Sequence, residues 1–415
     1  MNKDSVPFTK EQLEEIIKTY PTPFHIYDER AIEANVARLY KAFSWMPDFK
    51  NYFAVKALPN PSILELLHKL GMGTDVSSLT ELMLSKMVGI VGEEIMFTSN
   101  QTPAAEYKLA KELGAIINLD DITHIDYLEA NVGLPELISF RYNPGAAKDG
   151  IAVGIGKPVE AKYGLTEAQM IEAFKIVKSK GVKRFGVHTM LASNEMSEDY
   201  FVDTSRLLFE LALKINREVG IEIEFVDLGG GIGIPYKPDQ KAVNIEYIGE
   251  EIRKRYESIL SANGLKPKIY MECARLITGA YGYLVTRAVH EKHIYREYIG
   301  VDACAANLMR PSMYGAYHHI TVMGKENAPK DRVYDVVGSL CENSDKFAIN
   351  RELPEIAIGD LLVIHDTGAH GHSMGYNYNG KLRSAELLLK PDGTVKQIRR
   401  AETAADLFAT IVYPA

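Results

Sequence analysis

From residue 51 to about 275, short β-like runs alternate with helical patterns. The runs are 52–56 (YFAVK), 72–76 (MGTDV), 95–99 (IMFTS), 115–119 (AIINL), 137–142 (LISFRY), 184–189 (RFGVHT), 223–228 (IEFVDL) and 268–273 (KIYMEC). Between the first of them, Ile63, Leu64, Leu66 and Leu67, and then Leu79, Leu82, Met83, Leu84 and Met87, fall at helical spacing. Eight such units over roughly 225 residues match a (β/α)8 barrel, which takes about 250 residues. A doubly wound open sheet is the alternative, because periodicity alone does not show closure.

After Gly279 the texture changes. The runs 282–290, 297–302, 333–337, 361–366 and 384–389 have no long helical pattern between them. Lys390-Pro391-Asp392-Gly393-Thr394 is a turn signal joining two strand-like runs. This half reads as a mostly antiparallel β domain. Thr22 to Asp28 is also strand-like and is expected to join it, after a short leading helix over 9–19. The expected division is a barrel over 33–278, with 1–32 plus 279–415 forming the second domain.

The balance of 46% hydrophobic and 25% charged residues is that of a globular protein. A net charge of −8 argues against a nucleic-acid partner. No apolar run reaches the roughly 18 residues of a membrane span. Met1-Asn2-Lys3-Asp4-Ser5 lacks an apolar signal core. Three cysteines without CxxC spacing suit reduced thiols, so a cytoplasmic protein is expected.

The C-terminal strand ends of such a barrel face its active site. Here they carry Lys56, Asp75, Thr98, Asn118, Arg141, His188, Gly229 to Gly231, and Glu272. Lys56 closes the first run, before Pro59-Asn60-Pro61. An amine held there, partly out of water, is expected to have a lowered pKa and to form a Schiff base. Asp227-Leu228-Gly229-Gly230-Gly231-Ile232-Gly233 would bring backbone N–H groups up to a phosphate. A dinucleotide fingerprint fits less well, since the sixth position is Ile234 and Pro235 disfavours an immediate helix. Glu272 could hold a pyridine nitrogen protonated, and His188 could stack on a flat ring. Together these are the parts of a pyridoxal 5'-phosphate (PLP) site.

With those parts in place, the chain resembles the fold type III PLP-dependent decarboxylases, and among them the diaminopimelate decarboxylase family, from Thr22 to about Ala401. Tyr52 to Ala57 resembles the family's Schiff-base lysine motif, and Asp227 to Gly231 its phosphate glycines. Gly338-Ser339-Leu340-Cys341-Glu342-Asn343-Ser344-Asp345 is similar to its cysteine–glutamate motif. Arg310-Pro311-Ser312-Met313-Tyr314 is similar to its substrate arginine–tyrosine motif, and Ser373 to Asn379 to its closing tyrosine motif.

The resemblance implies a homodimer with shared active sites and decarboxylation of meso-diaminopimelate to lysine. It implies Lys56 and Cys341 as catalytic residues. Cofactor contacts would come from Lys56, Asp75, His188, Gly229, Gly230, Gly231, Glu272, Arg275 and Tyr378. Substrate contacts would come from Arg275, Arg310, Tyr314, Glu342 and Tyr378, with Cys341 and Glu342 lent by the partner.

Three runs depart from the family pattern. Glu272-Cys273-Ala274-Arg275 stands for Glu-Pro-Gly-Arg. His188 is followed by Thr189-Met190-Leu191-Ala192-Ser193-Asn194 where the family has a short Gly-Ser step. Gly368-Ala369-His370 replaces Gly-Ala-Tyr. His365, His370 and His372 lack an acidic or cysteine partner at ligand spacing, so a β-domain loop is expected and no metal. The same chemistry on D-ornithine or D-lysine, giving putrescine or cadaverine, is the main competing function. A catalytically dead binding homologue and an amino-acid racemase are the others.

Overall fold

The computed structural model describes residues 5–147 and 157–413. The signal-core reading of Met1 to Asp4 therefore lies outside the described residues. The chain divides into two compact units. One holds residues 1–32, 235–241 and 278–415, and the other 33–234 and 242–277. Residues 235–241, which the expected division put in the barrel, belong to the first unit.

A helix, Lys10–Thr19, opens the described chain with Thr9 and Gln12 in a capping box. Strand β1 (Phe24–Asp28) follows. The next eight strands are β2 (Lys50–Ala54), β3 (Gly73–Val76), β4 (Ile95–Thr98), β5 (Ile116–Leu119), β6 (Leu137–Arg141), β7 (Arg184–His188), β8 (Phe225–Asp227) and β9 (Lys268–Met271). They are parallel, and β9 pairs back with β2. The barrel is closed, which rules out the open sheet.

Inside the barrel, the period of two along each strand sets the layers. Tyr52, Met96, Ile116, Leu137, Phe225 and Tyr270 form one apolar cluster. Phe225 and Tyr270 stack with ring centroids 4.9 Å apart. Gly186 makes room for this layer, since a Cβ there would meet the Phe225 ring at 2.1 Å. Gly73 does the same beside Tyr52, at 2.6 Å. Two residues further along, the character reverses on seven of the eight strands, with Ala54 as the exception on β2. The positions become Asp75, Thr98, Asn118, Ser139, His188, Asp227 and Glu272. The barrel is thus filled by aromatic and aliphatic side chains below and by polar ones above.

The other unit contains β1 and the strands after the barrel. These are β10 (Gly282–His293), β11 (Glu297–Val301), β12 (Ile320–Val322), β13 (Arg332–Val337), β14 (Lys346–Leu353), β15 (Leu361–Ile364), β16 (Ala385–Leu389) and β17 (Val395–Arg399). The sheet is mostly antiparallel, with two parallel pairs, β1 with β16 and β11 with β13. Lys390 to Thr394 makes the turn between β16 and β17, where the Lys390 N–H donates to the Thr394 carbonyl at 2.8 Å. Leu284, Val336, Leu362 and Ile364, all fully buried, anchor one core cluster of this unit. No helix among the described residues is long and apolar enough to cross a membrane.

Candidate active site

Strand β2 stops at Ala54, and Lys56 lies in the short 3-10 turn Val55–Ala57. The expectation that Lys56 ends the strand itself is corrected by two residues. Asn60 then caps the following helix, Pro61–Lys69, by accepting the Ser62 N–H at 3.0 Å. Cap and prolines fix where the turn ends.

Lys56 Nζ lies 3.4 Å from Asp75 Oδ2, and its side chain is 52% exposed. Burial pulls the ammonium pKa down, but Asp75, Glu272 and Glu81 outweigh it and hold the pKa above its ordinary value. The lowered pKa expected from partial desolvation is therefore wrong. Desolvation acts as supposed, and three carboxylates supplied by other parts of the fold reverse its effect. Asp75 shows the other side of this arrangement. Burial and the Glu272 charge push its carboxyl up to about 7 against the pull of Lys56.

His188 is fully buried and held through both nitrogens. The Asn118 amide meets Nδ1 at 2.7 Å, and Nε2 lies 3.1 Å from Glu272 Oε2. With Asn118 donating, Nδ1 accepts and the Nε2 hydrogen goes to Glu272. Burial alone would raise the Glu272 carboxyl, but His188, Lys56 and Arg141 hold it below the usual range. Arg141 lies 3.4 Å from Asp120, donates to the Met190 carbonyl at 3.1 Å and stacks over Tyr163.

The three glycines after β8 are dictated by backbone approach. A Cβ at Gly229 would meet the Thr189 carbonyl oxygen at 2.1 Å, at Gly230 that of Glu272 at 2.5 Å, and at Gly231 that of Ala192 at 2.3 Å. Gly229 and Gly231 also have φ of +68° and +96°. No helix follows until Ile245, so the dinucleotide fingerprint fails on structure as well. Arg275, 8% exposed, opens the short helix Arg275–Thr278.

Sequence reasoning gave no role to Asn51. Its amide clamps both main-chain groups of one residue: it accepts the Cys273 N–H at 2.8 Å and donates to the Cys273 carbonyl at 3.0 Å. This fixes the chain just after Glu272. Asn118 was noted only as a strand end, yet it orients His188. In both cases the available signal was an amide residue at a barrel-strand position, which needs a partner when buried.

In the other unit, the remaining predicted residues lie on three connected segments. Arg310 and Tyr314 bound the helix Arg310–Tyr314. The Arg310 guanidinium sits over the Tyr236 ring, 4.9 Å from its centroid. Ser312 donates to Ser344 at 2.8 Å, which ties this helix to the loop carrying Cys341 and Glu342. Buried Asp345 shapes that loop by accepting the Ala305 and Leu340 N–H groups at 2.7 and 2.8 Å. The Cys341 N–H donates to Asn379 Oδ1 at 2.7 Å, which joins the loop to the turn bearing Tyr378. Cys341 and Glu342 are exposed, and Tyr378 is half exposed. Within the histidine-rich stretch, His365 Nε2 meets Thr321 and His372 Nε2 meets the Ser384 carbonyl.

The family model described as "Pyridoxal-dependent decarboxylase, pyridoxal binding domain" matches residues 29–279. The chain belongs to the pyridoxal-dependent decarboxylases. Protein TabA of Pseudomonas amygdali pv. tabaci is 44% identical over 95% of this chain and 92% of its own. The diaminopimelate decarboxylase of Methanothermobacter thermautotrophicus is 34% identical over 95% and 92%. The crystal structure of diaminopimelate decarboxylase from M. jannaschii in co-complex with L-lysine superposes with a TM-score of 0.90. It is 30% identical, over 100% of this chain and 99% of that one.

This pyridoxal-dependent decarboxylase has a barrel end that fits its cofactor. Asp75 Oδ1, Asn118 Oδ1, Asp227 Oδ2 and Glu272 Oε1 are buried without a hydrogen-bond partner among the described residues. Unpaired polar atoms are costly inside a protein, and a cluster of them marks where a polar ligand belongs. The Lys56 amine, the Glu272 carboxylate and the glycine turn after β8 stand at the same end of the barrel.

Proposed function

We propose that this enzyme removes carbon dioxide from a diamino acid, and that its substrate is meso-2,6-diaminopimelate, giving L-lysine. The observation that carries the substrate is Arg310. It is a buried cation stacked on Tyr236, on a helix tied to the Cys341 loop. A guanidinium fork pairs two-fold with a carboxylate, which diaminopimelate has at its far end and D-lysine lacks. The named diaminopimelate decarboxylase relatives support the same reading.

PLP, when bound, supplies the sink for the electron pair that the departing carboxylate leaves behind. In this reading Lys56 Nζ is the covalent anchor, and Asp75, with its carboxyl near 7, is placed to take the ammonium proton. Glu272 holds a proton at the ring nitrogen. His188, fixed by both nitrogens, presents a ring face, and the open backbone of the Gly229 to Gly231 turn gives the phosphate room to approach. Arg275, Arg310 and Tyr314 hold the far end of the substrate, with Glu342 and Tyr378 beside it. Cys341 Sγ returns a proton to the α-carbon.

We further propose a homodimer in which Cys341 and Glu342 serve the partner's barrel, and a cytoplasmic location in keeping with three free thiols. Mixing inactive Lys56→Ala and Cys341→Ala protomers is then expected to restore up to about a quarter of the activity, because exchange creates one intact site per mixed dimer.

D-ornithine or D-lysine is the second reading, favoured by the Cys273-Ala274 departure beside Arg275. Turnover of meso-diaminopimelate, D-lysine and D-ornithine by the purified PLP-loaded enzyme decides between them. Negligible activity on the first sinks the leading choice.

A further inference from the structure

Asp227 is the most enclosed acid of the barrel end, with no exposed surface. Its Oδ1 accepts the Gly229 N–H at 2.8 Å, while Oδ2 has no partner among the described residues. Ligating atoms of Asp227, His188 and Glu272 all lie within 4.8 Å of one another. His188 has already committed one nitrogen to Asn118 and the other to Glu272. The nearby cations Lys56 and Arg141 are paired with Asp75 and Asp120. The other titratable groups that act on Asp227 are Glu272, Asp75, Tyr52, Tyr270 and Cys273, and none of them is basic. An ionised carboxylate here would be buried, unpaired and beside a second one, which is the arrangement proteins avoid. It would also stand two residues from the glycine cradle and repel a phosphate dianion.

We propose that Asp227 works as a neutral carboxylic acid, donating its hydrogen to Glu272 and thereby fixing the carboxylate that meets the cofactor's ring nitrogen. Asp227 is a positioning residue, because it acts through Glu272. Burial and the Glu272 charge push its carboxyl far above the usual range, in keeping with this geometry. The inference rests on the barrel end being the cofactor site.

Asp227→Asn and Asp227→Ala test it, with PLP affinity read by absorbance titration and kcat and KM read separately. An amide has the shape and donor of the neutral acid. Asp227→Asn should bind PLP and turn over within about three-fold of the native enzyme, while Asp227→Ala should lose about thirty-fold in PLP affinity. An Asn variant as impaired as the Ala variant overturns the proposal. Should either fail to fold, carbon-13 NMR of the native protein labelled at aspartate carboxyls decides. One carboxyl that stays protonated from about pH 6 to about pH 8, apart from the titrating Asp75, supports the neutral acid, and the lack of one overturns it. Lys56→Ala is the control: undiminished PLP binding with an unchanged spectrum would sink the site reading itself.

Discussion

Two buried acid clusters in this chain are built on opposite rules. At the barrel end, Asp75, Asp227 and Glu272 each keep one oxygen without a partner. In the other unit, Glu386 is equally buried, but both its oxygens are taken. Tyr27 donates to Oε1 at 2.6 Å, and the Arg399 Nε donates to Oε2. His372 lies 3.7 Å from Oε2 and itself receives Arg383 at Nδ1. Burial pushes the Glu386 carboxyl up, yet His372, Arg399 and Tyr27 pull it down to about 2. Asp75 stands at about 7. Satisfied acids hold strands together, whereas half-satisfied ones leave an oxygen for a ligand or, at Asp227, for the proton proposed to be shared with Glu272. Glu386 bonds Tyr27 of β1 and Arg399 of β17, the strands on either side of its own β16.

Four changes probe that contrast, beginning with the largest effect. Lys56→Ala should cut decarboxylation at least about a thousand-fold while moving the unfolding free energy of the unloaded protein by less than about 1 kcal/mol. Unfolding on this substitution would mean the barrel end is structural after all. Glu386→Ala should do the reverse. It strands Arg399 and Tyr27, so urea unfolding should show a loss of about 3–5 kcal/mol with KM unchanged.

The third and fourth changes concern pH, and their signs differ. The Asp75 carboxyl is raised on folding, so its stabilising contribution is full below about pH 4 and is lost as pH rises through about 7. Asp75→Asn should flatten that decline in the unloaded protein, an effect on the order of 1–2 kcal/mol by thermal melts across pH. Burial depresses His372 to about 3, so its contribution is full above about pH 6.5 and is lost as pH falls toward 3. His372→Phe should make the acid limb of the same profile shallower by about 1 kcal/mol or less. Parallel slopes for the two variants would erase the distinction between the clusters.

Much of the barrel was legible because each strand is short, apolar and followed by a helical pattern. The second unit was harder. Strand β14 carries Lys346, Asn350, Arg351 and Glu352 and, among the described strands, pairs with β13 alone, so its exposed residues hide the alternation. Strand β12 has three residues, too few for a period. Strand β10 runs on to His293 through Glu291 and Lys292, which pair across a hairpin with β11 and look like loop in the sequence. At the site, residue types could be read, but their neighbours could not. Nothing in the run around Lys56 says that Asp75 from the next strand will stand 3.4 Å away and reverse the sign of its shift. Asp227 was hidden by the glycines it precedes.

The Asn51 clamp bears on how such a site can change over time. Strands β2 and β9 share only two paired positions, Lys50 with Tyr270 and Asn51 with Met271. Beyond them the seam is continued by the Asn51 amide, which grips the main chain of residue 273 and ignores its side chain. The clamp needs an N–H at residue 273, so the proline of the family pattern could take no full part in it. With cysteine in place of that proline, one asparagine ties β2 to the chain just after Glu272 through both main-chain groups of a single residue.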